Sequence, residues 1–456
     1  MPEARRPNVL FLMDDQHRYD YLGCTGAGFV RTPNLDALSR RGMLFRQCFT
    51  SYPMCGPARV ALATGRSPLR YGPAINPILP LSAPTFYQRF RDQGYRVGCV
   101  GKIDLAKPDK YNGRNGDRPC TYSYGFTHPV ECEGKLHAAE GEPGKTLGPY
   151  GGYLEEKDLF SCFQQDYVAR RKAGGIHRAC QDSILASEDY EDGFIGRKAC
   201  DWLREIPQDF PWYLLVSFVG PHDPYDPPTE YADRYRNAEM PAKVVGGSGR
   251  PGFLSRRRLV EEGEDVAGTR RQYCAYIEHI DSRIGELLQT LEETGQAENT
   301  YIVYTSDHGD MLGDDDTFLK AILYDPAIRV PLMISGPSIP AGRTSDALVD
   351  LMDVNQTLLA LLDLPELQNT DSRSFAQVAT GSAQEHREFV LSYNYNGQCI
   401  RTREEKLIEN IGDCDELYDL TMDPLERRNI AEARPENVAP LSARMHDAPY
   451  GVKWNI

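Results

Sequence analysis

Asn8-Val9-Leu10-Phe11-Leu12-Met13-Asp14-Asp15-Gln16 is an unbroken apolar run that stops on two carboxylates and an amide. A strand with one wet face alternates apolar and polar residues, so five consecutive apolar side chains point to a strand covered on both faces. The same design recurs at 96–100 before Lys102, at 212–219 before His222, and at 301–306 before Asp307 and His308; a fifth run, 330–335, ends at Gly336 and Pro337. Helical patterns lie at 32–42, 57–64, 85–94, 193–204 and 273–294, the last with apolar positions three and four apart. The alternation predicts an α/β fold, a mostly parallel sheet flanked by helices. Ligands gather at the carboxyl ends of such strands, so the four polar ends should share one rim.

The rhythm breaks over 106–182, where Gly, Pro and Tyr are frequent, which predicts a variable insertion near the active rim. Tyr111, Tyr122, Tyr124, His128 and His137 are its candidates for shaping access. After 364 the pattern changes again, with a strand at 389–393, a hairpin over 399–411 and a turn-rich stretch at 416–428. The expected organisation is an α/β domain at 1–364 and a smaller α+β C-terminal domain at 365–456.

The chain has 456 residues, 41% of them hydrophobic, enough for a large core. Its 51 basic and 66 acidic side chains give a net charge of −15, which argues against nucleic acid held on a general basic surface. The apolar run at 9–13 is too short for a membrane span or a secretory core, so no membrane role and a cytoplasmic location are expected. Twelve cysteines without a C-x-x-C pair read as free thiols rather than structural zinc or a disulfide framework.

Cys55-Gly56-Pro57-Ala58-Arg59, followed by Leu62, Thr64 and Gly65, is the most specific pattern. Pro57 suits the first turn of a helix, where its missing N–H costs nothing, and this places Cys55 at a helix N-terminus. Free N–H groups and the positive dipole end there favour a tetrahedral anion, and Arg59 adds a fixed charge. The pattern resembles the signature C-x-P-x-R-x-x-L-x-T-G of the type I sulfatases, members of the alkaline-phosphatase superfamily. Further blocks resemble that family: 9–20 and 23–38, with Thr32-Pro33-Asn34-Leu35-Asp36; 273–291; 304–337, with Ser306-Asp307-His308-Gly309-Asp310, Lys320 and Arg329-Val330-Pro331-Leu332; and Glu416-Leu417-Tyr418-Asp419-Leu420 before Asp423-Pro424.

The resemblance implies an alkaline-phosphatase-like fold and a sulfatase that hydrolyses sulfate monoesters. Cys55 would be oxidised to formylglycine by a separate maturation enzyme, and its hydrate would attack sulfur. It implies one divalent cation at Asp15, Gln16, Cys55, Asp307 and His308, with Asp14, one residue early, outside the set. Oxygen ligands favour Ca²⁺, whereas the histidine draws the choice towards Mn²⁺ or Mg²⁺. Arg59, Lys102 and Lys320 would bind the charged oxygens, Asp307 would take a proton, and His222, in Pro221-His222-Asp223-Pro224, would protonate the leaving alcohol. In Gly101-Lys102-Ile103-Asp104-Leu105 the lysine matches the family, but Asp104 stands where the family has histidine. A carboxylate beside a sulfate oxygen is repelled unless it is metal-bound, protonated or turned towards a cation. The expected substrate is a small anionic sulfate ester, a sulfated sugar first. The alternatives are a phosphonate monoester or phosphodiester hydrolase on the same scaffold, and a non-catalytic anion-binding protein that keeps Cys55 as a thiol.

Overall fold

A computed structural model describes residues 6–448 except 72–75, 77, 174–179, 248, 257–259 and 261–263. The main sheet is built from β1 (Asn8–Asp14), β2 (Met43–Phe49), β3 (Arg96–Gly101), β4 (His128–Glu131), β5 (Trp212–Ser217), β6 (Thr300–Ser306), β7 (Arg329–Ser335), β8 (Arg343–Ser345) and β9 (Val349–Asp350). Their order is β4-β3-β5-β1-β6-β7-β2-β8, with β9 also paired to β2. The pairs β4–β3, β3–β5, β5–β1 and β1–β6 are all parallel, so the four expected site strands are contiguous and end on one rim. Only β7 runs against its neighbours, so Arg329 at its start, not Gly336 after its end, lies on that rim.

Both faces of the sheet are covered, as the unbroken apolar runs require. Val9, Phe11 and Met13 pack on one side with Val60, Leu62 and Ala63 of the helix Cys55–Thr64 and with Phe86 and Leu358. Leu10 and Leu12 face the other side, against Leu35, Ile195, Ile280 and Ile284 from the helices Pro33–Arg41, Glu191–Glu205 and Val266–Glu293. Alternate residues of a strand point to opposite faces, and this parity sets the directions of the two acids at the end of β1. No described helix is long and apolar enough to cross a membrane, and none of the twelve cysteines is joined in a disulfide.

The 106–182 segment is more regular than its composition predicts. It contributes β4 at the sheet edge and the helices Pro149–Glu156 and Phe160–Lys172. Four residues with Pro129 among them make a weak strand signal, and an edge strand is where proline is tolerated. Strands β10 (Val390–Asn394), β11 (Gly397–Arg401), β12 (Glu405–Asn410) and β13 (Glu416–Asp419) form a second, antiparallel sheet backed by the helix Pro435–Asp447. That sheet braces the approach to the site: Tyr393 N–H donates to Ser51 O at 2.9 Å, and Asn394 Nδ2 to Ala321 O at 3.2 Å. Ala321 N–H in turn donates to Pro53 O at 2.9 Å, tying the Lys320 loop to the turn before Cys55.

Candidate active site

The helix Cys55–Thr64 starts at Cys55, with Met54 as its cap residue, and all ten of its residues are buried. A helix this rich in apolar residues belongs inside a structure, and this one points its N-terminus at the rim formed by β1 and β6. Asp15, Cys55, Asp307 and His308 converge there, all buried, with ligand atoms within 4.8 Å of one another. Cys55 Sγ lies 3.6 Å from Asp15 Oδ1 and 3.2 Å from His308 Nε2. Burial and Asp15 push the Cys55 thiol up, but Lys102, Lys107 and Lys320 outweigh them and hold it well below the usual thiol range.

Strand parity separates the two acids after β1. Asp14 turns to the face of Tyr304 and contacts its hydroxyl at 2.7 Å and His17 Nδ1 at 2.8 Å. Asp15 turns to the helix side, its N–H donating to Gly220 O at 2.9 Å. Burial would raise the Asp15 carboxyl, yet Lys102, His222, Arg59 and His308 hold it well below the carboxylate range.

Arg59 clamps the two strand ends together. Its Nε donates to Asp307 Oδ2 at 2.8 Å and its Nη2 to Asp15 Oδ2 at 3.2 Å, while Nη1 donates to Lys102 O at 2.6 Å and Ser217 Oγ at 2.8 Å. With Nε and both Nη nitrogens bonded to protein, Arg59 holds the two carboxylates. Lys102 Nζ pairs with Asp15, and Lys102 N–H donates to Ser217 O at 3.0 Å. Gly101 makes that close passage possible: its φ is 106°, and a Cβ there would stand 1.9 Å from Ser217 O.

The donor set fits a divalent cation. Two carboxylates and an imidazole converge on the atom at position 55. His308 Nδ1 lies 2.9 Å from Gly309 O, a carbonyl that can only accept, so Nδ1 carries the proton and Nε2 turns its lone pair to the cluster. Gln16, expected beside them, has φ 72° and is tied by its backbone N–H to Asp307 Oδ1 at 3.1 Å. Its side-chain oxygen accepts from Lys320 and its amide donates to Asp310, so as a metal ligand it would have to release Lys320. Lys320 Nζ also reaches His222 Nε2 at 2.5 Å, and His222 Nδ1 lies 2.7 Å from Asp223 O.

Of these groups, Lys102 and His222 line a cleft whose walls also include Lys107, Glu133, His137 and Asp223. The insertion therefore does supply a wall, but of its five candidates only His137 lines it. Tyr124 is buried with its hydroxyl donating to Leu79 O at 2.8 Å, and His128 sits at the entry of β4, far along the strand from the rim. Tyr111 and Tyr122 are exposed on the surface. Asp104, the departure from the family pattern, is turned towards cations: its Oδ2 accepts from Lys107 Nζ at 2.8 Å and lies 3.4 Å from Lys102 Nζ. Burial opposes its charge, but Lys102 and Lys107 together keep its carboxyl far below the usual range. Lys107 and Ser217 are not singled out by the sequence motifs; the spacing of Asp104 and Lys107, three apart and oppositely charged, is the available signal.

Residues 7–364 match the family model described as Sulfatase, and residues 313–449 match that described as N-sulphoglucosamine sulphohydrolase, C-terminal. The choline-sulfatase of Rhizobium meliloti (strain 1021) is 30% identical over 456 residues, covering 94% of this chain and 83% of its own. A solved structure of a protein in complex with its substrate D-glucosamine-2-N,6-O-disulfate has a TM-score of 0.77 at 21% identity, covering 97% of this chain and 98% of its own. The phosphonate monoester hydrolase of Agrobacterium radiobacter has a TM-score of 0.75 at 24% identity, covering 96% of both chains. At such identities the two structures speak for the fold.

Proposed function

The chain belongs to the sulfatase family, hydrolases of sulfate esters, and from that premise we propose that its nucleophile forms at Cys55 and that its substrate is a sulfated sugar. The observation that carries this reading is the convergence of Asp15, Cys55, Asp307 and His308 at a helix N-terminus beside Lys102 and Lys320. Formylglycine at position 55, made by a separate maturation enzyme, would supply as its hydrate a hydroxyl that attacks sulfur and a second that expels sulfate. A divalent cation at Asp15, Asp307, His308 and the position-55 oxygen would lower that hydroxyl's proton affinity and offset the charge on the transferring group. Ca²⁺ is favoured by the carboxylates, with Mn²⁺ or Mg²⁺ as the ions the imidazole suits.

The chain's own groups divide the remaining work. Asp15 Oδ1, 3.6 Å from Sγ, is better placed to take the nucleophile's proton than Asp307, whose oxygens already accept from Arg59, Gln16 N–H and His308 N–H. Lys102 and Lys320 bind the anionic oxygens from two sides, while Arg59 keeps the carboxylates at bonding distance from the cluster. His222, whose Nδ1 faces the Asp223 carbonyl and whose Nε2 faces Lys320, is the group we assign to protonate the leaving alcohol, with Lys320 keeping its charge for the anionic oxygens.

A polar cleft wall suits a hydroxyl-rich alcohol, and a protein of this fold holds a sulfated glucosamine. Lys102 and Lys107 disfavour a cationic choline head in the same cleft. Twelve free cysteines suit a reducing compartment such as the cytoplasm. We assign the chemistry to 1–364, with 365–456 as the smaller domain that braces the Cys55 and Lys320 loops.

Turnover of an aryl sulfate and an aryl phosphonate monoester, measured side by side on protein whose Cys55 peptide has been weighed by mass spectrometry, tests the reading. Formylglycine and faster sulfate turnover are expected. Phosphonate turnover faster by orders of magnitude would favour the phosphonate hydrolase reading, which shares this fold.

A further inference from the structure

Asp104, which stands where the family pattern has histidine, faces a lysine three residues further on. Asp104 holds φ 58°, a left-handed conformation that asparagine, aspartate and histidine adopt more readily than other side chains. This turn directs its carboxylate between two ammonium groups, Lys102 Nζ at 3.4 Å and Lys107 Nζ at 2.8 Å. The pair is no surface bridge, since the Asp104 and Lys107 side chains are only 12% and 20% exposed. Lys102, Asp104 and Lys107 line the same cleft as His222. Lys102 is already committed to Asp15, whereas the Lys107 side chain is the more exposed of the two, 20% against 11%.

Resting on the sulfatase reading, we infer that Lys107 is a further anion-binding cation of the site, supplying from three residues downstream the positive charge that a histidine at 104 would bring, with Asp104 as its positioning residue. The carboxylate draws the ammonium inward over the cleft, and a sulfate oxygen is then met by Lys107 instead of by the aspartate.

Calorimetric titration of the metal-loaded full-length protein with inorganic sulfate tests this without requiring turnover. Lys107→Met should weaken sulfate binding about tenfold or more, as expected for losing a hydrogen bond to a charged group. Lys107→Arg should stay close to the parent, and Asp104→His added to Lys107→Met should recover much of the affinity, a rescue that a purely structural lysine would not show. Sulfate bound equally by the parent and Lys107→Met would overturn the inference and leave the site reading standing. A loss that Asp104→His fails to recover would overturn the assignment of Lys107 to the histidine's place. No sulfate binding by the parent protein would overturn the anion-site reading itself.

Discussion

Replacing Arg59 by methionine tests whether the site is a clamped pair of carboxylates. Methionine keeps the length of the side chain and removes five donors, four contacts of which span Asp15, Asp307, Lys102 and Ser217. Breaking a buried ion pair by deleting one partner costs about 3–5 kcal/mol, because the remaining charge is stranded. Asp15 keeps Lys102, and Asp307 loses its arginine but keeps the Gln16 and His308 N–H donors, which places the loss near 3 kcal/mol, about the lower end of that range. With a urea dependence of about 3 kcal/mol per molar, the midpoint falls by about 1 M. Fluorescence of Trp212, at the start of β5 and fully buried, follows the main sheet through the transition. Saturating divalent cation should return much of the loss, since it supplies the missing positive charge. A loss below about 1 kcal/mol, or an equal loss with and without cation, would refute the clamp.

His222→Gln should cost about a hundredfold or more with a poor leaving alcohol and only a few-fold with nitrophenyl sulfate; equal losses would remove His222 from proton donation. Glu133 gives a pH test. Burial pushes its carboxyl up to about 7 against the N–H groups of Gly151, Tyr150 and Gly148 that favour the charged form. The native state therefore holds this proton more tightly than the unfolded chain, and its contribution is lost as pH rises from the unfolded value through 7. Glu133→Gln escapes that loss, so its melting temperature relative to the parent should rise by a few degrees between pH 5 and pH 8; a constant difference would refute the shift.

The strands that carry the site were legible because burial on both faces forces unbroken apolar runs, and each ends on the residue that does chemistry. β2 was not, since Arg46 and Gln47 interrupt Met43–Phe49 at a register shift between Phe45 and Cys48, where Arg46 turns to solvent. The helix at Cys55 followed from proline chemistry, and the choice of Asp15 over Asp14 from the family resemblance, with strand parity turning the two acids to opposite faces. Arg59 was legible as a charge but not as a clamp, because its partners lie 44 and 248 residues away. Gln16 was read from its place in the family pattern, and its left-handed backbone and the Lys320 contact reveal what its amide holds. Lys107 was hidden because the eye goes to the residue that replaces histidine rather than to the one that compensates for it.

The shared rim has a practical corollary for handling the molecule. With β3, β5, β1 and β6 all parallel, the turns that enter them lie at the opposite end of the sheet from the cluster. Residues 207–210, leading into β5, are exposed there, Asp209 and Phe210 among them. An attachment chemistry aimed at that turn would fix the protein to a bead or electrode with its mouth outward and the approach to the cluster unobstructed.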